Sequence, residues 1–309
     1  MVDFKKIRTI KADERNFIVK KEDFSSPYGK GADFKAFMRS VPNILGGKDF
    51  KEVVGALAAA RSKKRGIVWG IGPHTLKVGL SPLLIQLMEK GFITAIAMNG
   101  AGAIHDYEIA FFGATSEIVA DGIEDGSYGM SEETGKFING AAKEAAEKNE
   151  GFGRTVGRKI LEGKPKFAEL SILASAYKLG IPATLHVAIG TDTIHIHPSA
   201  DGAALGKASH RDLQIFGDEI SRISNGGVYL NAGSAVLLPE VFLKSLTACN
   251  NLGMKVANFT TVNLDFIKQY REMENVVRRP TLHSGKGYSI VGHHELLLPL
   301  LAANLIESA

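Results

Sequence analysis

Strand-like apolar runs alternate with helix-like periodic segments along most of this sequence, and that alternation constrains the fold more than any other feature. Strands joined through helices run parallel, and the helices must cover both faces of the sheet they make. The predicted class is therefore α/β, a Rossmann-like parallel sheet with helices on both faces. The clearest unit reads Glu52 to Arg65 as a helix and Gly66-Ile-Val-Trp-Gly-Ile-Gly72 as a buried strand. Leu80 to Lys90 is then a helix and Phe92-Ile-Thr-Ala-Ile-Ala-Met98 the next strand. A helix-rich polar excursion follows, with an N-cap at Ser131-Glu-Glu-Thr134 and helices over Lys136 to Asn149, Arg154 to Glu162 and Phe167 to Leu179. The sheet resumes at Ala183 to Ile189 and returns near Val228 and Val256, and Leu296 to Ile306 is an apolar helix. Neither repeats nor a Pro/Gly/Ser-rich linker interrupt residues 1 to 309, which predicts one domain with a polar, irregular segment to about residue 50.

Charge and composition exclude several classes. The balance of 37 Lys+Arg against 33 Asp+Glu is only +4 and is spread along the chain, so no nucleic-acid partner is expected. The most apolar window, Phe92 to Ala114, contains Asn99, His105, Asp106 and Glu108, whose transfer into hydrocarbon is costly, so no membrane span is expected. Cys249 is the single cysteine, which rules out an internal disulfide. The opening run MVDFKKIRTIKADERNF lacks the apolar stretch of a signal peptide, and a cytoplasmic location is the expectation.

Three segments have the residue types that chemistry needs. In Asn99-Gly-Ala-Gly-Ala-Ile-His-Asp106, at the carboxyl end of a strand, small residues let backbone amides approach a phosphate or nucleotide at a helix start; a tight β-to-α turn is the alternative. The run Gly190-Thr-Asp-Thr-Ile-His-Ile-His-Pro-Ser-Ala-Asp-Gly202 crowds Asp192, His195, His197 and Asp201 together. On an extended segment the two histidines would face one side, as metal ligands or as polar loop residues, while the aspartates suit a cationic substrate. In Thr281-Leu-His-Ser-Gly-Lys-Gly-Tyr-Ser-Ile-Val-Gly-His-His-Glu295, Lys286 lies between glycines, where a flexible loop could deliver it into a cleft as a Schiff-base amine or leave it solvated. His293 and His294 precede the last helix, facing a ligand or a subunit contact.

Taken in order, these segments resemble the deoxyhypusine synthase family. The resemblance rests on Asp33-Phe-Lys-Ala-Phe37, Gly70-Ile-Gly-Pro-His-Thr-Leu-Lys-Val-Gly79, Asn99 to Asp106, Gly180-Ile-Pro182, Asn225-Gly-Gly-Val228 and Glu295-Leu-Leu-Leu-Pro-Leu-Leu301, and spans roughly residues 30 to 309. It implies an NAD-binding α/β fold, tetramers with active sites between paired subunits, and transfer of an aminobutyl group from spermidine. In that reaction NAD takes a hydride, the imine loses diaminopropane, and an enzyme lysine holds the aminobutyl group until another amine accepts it.

Carried over by residue, His74 to Lys77 fall where the family contacts NAD, with His74 and Thr75 assigned to the cofactor. Gly100, Ala101 and Gly102 match its small nucleotide turn, with His105 or Asp106 where an acidic residue holds a ribose. Asp192 and Asp201 each resemble the aspartate of the family's Thr-Asp-Gly motif, which implies that one of the two lines the cleft. Gly226 and Gly227 match its glycine turn and, with Asn231, His293 and His294, are assigned to the cofactor. Asn231 stands where the family has its catalytic histidine; an amide is no base near neutral pH, so His195 or His197 would substitute. Lys286 keeps the Gly-Lys of the catalytic Trp-Gly-Lys motif without its tryptophan, and Tyr270 to Arg279 has three arginines where the family's substrate loop is acidic.

The resulting expectation is an NAD-dependent aminoalkyl transferase acting on a small amine or polyamine, built as a homodimer or homotetramer. Lys286, Asp192, Asp201 and His197 are its catalytic candidates, with no resident metal. Two other readings stand beside it: a metal-dependent hydrolase using Asp192, His195, His197 and His293, and a non-catalytic nucleotide-binding protein.

Overall fold

Six strands pair in parallel in the order β3-β2-β1-β4-β5-β6. They are β1 (Ile67–Ile71), β2 (Ala95–Asn99), β3 (Ala183–His186), β4 (Val228–Ala232), β5 (Thr260–Asp265) and β6 (Lys286–Val291). A computed structural model describes residues 1–308. The helices are α1 (Phe34–Ser40), α2 (Leu45–Ser62), α3 (His74–Lys77), α4 (Ser81–Glu89), α5 (Gly100–Phe112), α6 (Val119–Asp125), α7 (Glu132–Lys148), α8 (Phe152–Gly163), α9 (Ile172–Leu179), α10 (Gly202–Ser221), α11 (Leu237–Asn251), α12 (Tyr270–Glu272) and α13 (His294–Glu307).

The α/β class predicted from the alternation is the class observed. β1 and β4 are buried at every position, which is why they read as continuous apolar runs rather than as alternating ones. One face of the sheet puts Trp69, Ile71, Met98, Leu230 and Leu264 into a core shared with α2, α4 and α13. The other puts Val68, Ala97 and Tyr229 against α10 and α11, where the Tyr229 and Phe242 rings stack 3.8 Å apart.

Differences from the sequence reading have local causes. The first long helix starts at Leu45, not Glu52, through Gly46 and Gly47, poor helix formers; Gly47 is required because a Cβ there would fall 2.3 Å from the Pro42 carbonyl oxygen. Every residue from 1 to 22 is exposed. The strand expected near Val256 begins at Thr260, and Val256 is buried in the connection before it.

β6 is the largest correction, because its Lys286-Gly-Tyr-Ser sequence reads as a loop. Its first residue pairs with Thr260 at the amino end of β5, and Gly287 is needed where a Cβ would meet the Val277 carbonyl oxygen at 2.0 Å. That carbonyl belongs to a π-helical turn, Met273–Arg278, which continues α12 and crosses the edge of the sheet.

Candidate functional site

The strand order reverses direction between β1 and β4, which places a crevice beyond the carboxyl ends of those two strands. Its floor is two backbones in close approach, since a Cβ on Gly72 would fall 1.8 Å from the Gly233 carbonyl oxygen. Gly233, at φ +71°, lies against the His294 imidazole. The His294 Nε2 is 3.0 Å from the Leu264 carbonyl oxygen, which can only accept, so Nε2 carries the proton. Nδ1 is then a buried lone pair without a partner. His74 faces His294 with ring centroids 5.7 Å apart, and the Thr75 hydroxyl donates to the Gly72 carbonyl at 2.8 Å, holding the turn after β1.

Beside the crevice lies a cavity of ≈ 430 Å³, lined from Pro73 and Lys77 after β1, from Ala101, His105 and Glu108 on α5, and from Asp192 after β3; the excursion between α5 and α7 supplies its outer wall. Asp192 is 7% exposed, and its Oδ2 is buried without a hydrogen-bond partner. Burial raises its pKa, against the pull of His195 and of the Ala101 amide. His195 Nδ1 accepts the Gly190 and Asp192 N–H groups at 3.2 Å each, so a neutral ring has its proton on Nε2, 3.8 Å from Asp192 Oδ2. Burial lowers the His195 pKa despite that neighbour.

Across the cavity, Thr115 Oγ1 donates to Glu108 Oε2 at 2.5 Å, and His105 Nδ1 lies 2.6 Å from the same hydroxyl. Thr134 Oγ1 is 3.5 Å from the other Glu108 oxygen. Burial works against the Glu108 charge, but the nearby His105 ring and the hydrogen bond from Thr115 outweigh it and hold the carboxyl below the usual range.

The structure brings His74, Thr75 and His294 to the crevice, and Ala101, His105 and Asp192 to the cavity. It does not bring Lys286 there. Lys286 begins β6 at the opposite end of the sheet, on the order of 16 Å from that strand's carboxyl end; its side chain is 70% exposed, 3.6 Å from Glu52. Gly226 and Gly227 also lie at the amino end, where Gly226 takes φ +106° and a Cβ on Gly227 would strike the Gly66 carbonyl at 2.5 Å. They are a tight turn into β4.

Asp106 is turned away from the cavity and holds the start of α9, accepting from Ser171 Oγ, Ile172 N and Leu173 N. Asp201 is the N-cap of α10, accepting from the Ala203 and Ala204 amides at 3.0 Å. His197 packs on Gly135 of α7 and bonds Ser199. His293 is exposed beside Glu295. His195 ends a 3-10 turn, so it and His197 do not share a side as an extended segment would have them. Among the described residues, no group of His, Cys, Asp or Glu is placed to hold a metal. Asn231 is buried, donating to the Ser234 carbonyl and to Asn263 Oδ1.

The Asn99-Gly100 turn also needs a different explanation. A Cβ on Gly100 would fall 2.2 Å from Asp192 Oδ2, and Asn99 Oδ1 accepts the Gly102 amide at 3.0 Å. The chain's own carboxylate and amide occupy the start of α5; Gly100 makes room for Asp192, whereas a Cβ on Gly102 would lie 3.2 Å from the Met98 Cβ.

Sequence reasoning missed Glu108, Thr115 and a buried row in which Asn263 links Asn231 to Glu272. Burial and the neighbouring Asp265 push the Glu272 carboxyl up to about 8. The His105–Glu108 spacing of three residues on a helix was a visible signal. Thr115 lies beyond the left-handed Gly113 that ends α5, where no periodicity reaches.

No protein-family model matches the sequence, and comparison with curated proteins finds no relative. Among solved structures the chain is similar to AgrE in its ternary complex with ornithine and NAD+ (TM-score 0.56, 15% identity, 84% of this chain and 32% of that one). It is similar to ArgZ, an arginine dihydrolase from the ornithine-ammonia cycle in cyanobacteria (TM-score 0.52, 19% identity, 84% of this chain and 31% of that one). A candidate deoxyhypusine synthase from Entamoeba histolytica matches end to end (TM-score 0.52, 11% identity, 91% of this chain and 96% of that one). The chain spans about a third of the length of the first two proteins. At these identities the likeness establishes the fold, a Rossmann-like parallel sheet flanked by helices.

Proposed function

We propose that this protein is an NAD-dependent enzyme that acts on a small amine, with the dinucleotide across the β1/β4 crevice and the amine in the adjoining cavity. The observation that carries this reading is the adjacency of the two: a glycine-floored crevice at the reversal of strand order opens beside a cavity lined by Asp192 and Glu108. A Cβ on Gly72 would strike the Gly233 carbonyl oxygen and one on Gly233 the His294 ring, so both glycines serve the close packing of the floor itself; the observation that points to a ligand there is the His294 Nδ1 lone pair, which lacks a partner that a bound ligand's N–H or O–H would supply. NAD would contribute a hydride acceptor. The chain's own part is to bind the cationic group against Asp192, exclude water and manage the proton.

AgrE with ornithine and NAD+, and a candidate deoxyhypusine synthase, lend support as proteins of this fold. Aminoalkyl transfer, the reaction implied by the sequence resemblance, further requires an enzyme amine at the site. Lys77 lines the cavity and is the candidate we favour over Lys286.

Thermal shift tests the reading. NAD at millimolar concentration should raise the melting temperature, by RT ln(1 + [L]/Kd) in free energy, and ornithine or spermidine should raise it further. His294→Phe, which removes the unpartnered lone pair, should reduce the NAD increment and Asp192→Asn the amine increment. No shift with NAD in the unmodified protein contradicts the assignment.

A further inference from the structure

We propose that His105 is the proton acceptor of the cavity, with its Nδ1–H tied to Thr115 and its Nε2 lone pair turned to the ammonium group of a bound amine. This rests on the reading of the cavity as an amine site. The tautomer follows from counting hydrogens. Thr115 has one hydroxyl proton, and it goes to Glu108, whose ionised carboxylate can only accept. The 2.6 Å contact between His105 Nδ1 and Thr115 Oγ1 then requires Nδ1 to be the donor. A neutral ring has one proton, so Nε2 is left as a lone pair. That atom has no hydrogen bond within the chain and is not among the buried unpartnered atoms, although His105 as a residue is 9% exposed. It therefore opens to the cavity that His105 lines.

The step is a proton transfer alone. The ammonium N–H bond breaks with its electron pair staying on the amine nitrogen, the proton bonds to Nε2, and the single positive charge moves from substrate to imidazolium. Glu108 Oε2, 3.6 Å from Nδ1, faces that new charge. An ordinary alkylamine is ~4 pH units less acidic than imidazolium, so the transferred state is a minor one and the persistent species is the N–H···Nε2 hydrogen bond. Thr115 and Glu108 are positioning residues in this arrangement. The other charged groups around the imidazole are Asp192 from the loop after β3, Lys77 from α3 and Glu117 from the outer wall.

Two measurements on the full chain decide the matter. Side-chain 15N spectra of histidine-labelled protein, with His105 identified by its loss in His105→Asn, should show the Nδ1–H tautomer. Thr115→Val should move His105 toward the Nε2–H form, and Thr115→Ser should retain the original. An Nε2–H tautomer in the unmodified protein, or one indifferent to Thr115→Val, overturns the proposal. Calorimetric binding of ornithine and spermidine at pH 8, without NAD, should weaken about tenfold in His105→Phe, which keeps a ring in place and offers no lone pair. Binding as tight in His105→Phe as in the unmodified protein overturns the role of His105. The Nδ1–H tautomer in a protein that binds neither amine refutes the amine reading and retains the acceptor geometry.

Discussion

Replacing Asp106 with asparagine should lower stability at pH 4, where the parent carboxyl makes its full contribution, and leave NAD and amine binding intact, although the residue sits in the very turn that the sequence resemblance assigns to a ribose. Asp106 is 1% exposed and accepts from Ser171 Oγ at 2.6 Å, Ile172 N at 2.6 Å and Leu173 N at 3.1 Å. An asparagine has one acceptor oxygen in place of two. With its amide nitrogen at the Oδ1 position the Ile172 N–H loses its partner; with the amide flipped, the Leu173 N–H does. One unmade buried hydrogen bond costs roughly 1–3 kcal/mol. At about 1.5 °C per kcal/mol for a chain of this length, the melting temperature should fall by ~2–5 °C.

The pH dependence adds a second signature. Burial, partly offset by the three hydrogen bonds, raises the folded-state pKa of Asp106 from 3.8 to about 6. The folded protein thus binds this proton more tightly than the unfolded chain. The contribution is fully present below about pH 4 and is lost as pH rises through about 6, by ~3 kcal/mol. Asp106→Asn should flatten that segment of the stability curve, so that the deficit seen at pH 4 closes by pH 7. The assay is urea unfolding across pH 4 to 7, paired with NAD titration at pH 7. A variant with unchanged unfolding and weakened NAD binding would refute the reasoning and restore Asp106 to the cofactor.

Other outcomes follow from the same geometry. Burial and Asp265 raise Glu272 from 4.5 to about 8, so its contribution to stability is lost as pH rises through 8; Glu272→Gln should melt above the parent protein at pH 9, and equal melting temperatures there would contradict the raised carboxyl. Borohydride trapping with NAD and labelled spermidine should place label on a peptide containing Lys77; label on Lys286 would require another copy of the chain to present it, since that amine lies at the far end of β6. Light scattering should report a dimer or tetramer, consistent with the exposed Phe4, Phe17 and Ile18 of the first residues, and a monomer at micromolar concentration would end the shared-site version.

The sheet was largely legible because its strands are buried on both faces. Ile67 to Ile71 and Ala95 to Asn99 have no competing periodicity, and the helices between them are long enough to show one. β6 was not, because Gly287 serves the crossing π-helical turn and only two of the six residues of this edge strand, Tyr288 and Ile290, are buried. Within the site, Asp192 and His105 stood out as polar residues at strand ends, but their partners did not. Whether Asp106 faces a ligand or α9 depends on where Ser171 comes to rest, 65 residues away. Gly100 was ambiguous for a related reason: a small residue signals close approach, and nothing local says whether the approaching group is Asp192 or a phosphate.

The central claim is tested most directly by a crystal structure of the protein grown with NAD and ornithine. The account predicts the pyrophosphate over Gly72 and Gly233, His294 Nδ1 accepting a hydrogen bond from the ligand, and the ornithine ammonium group between Asp192 and His105 Nε2. A pyrophosphate at the Gly100 to Gly102 amides with Asp192 displaced, or an amine seated at Lys286, would contradict it.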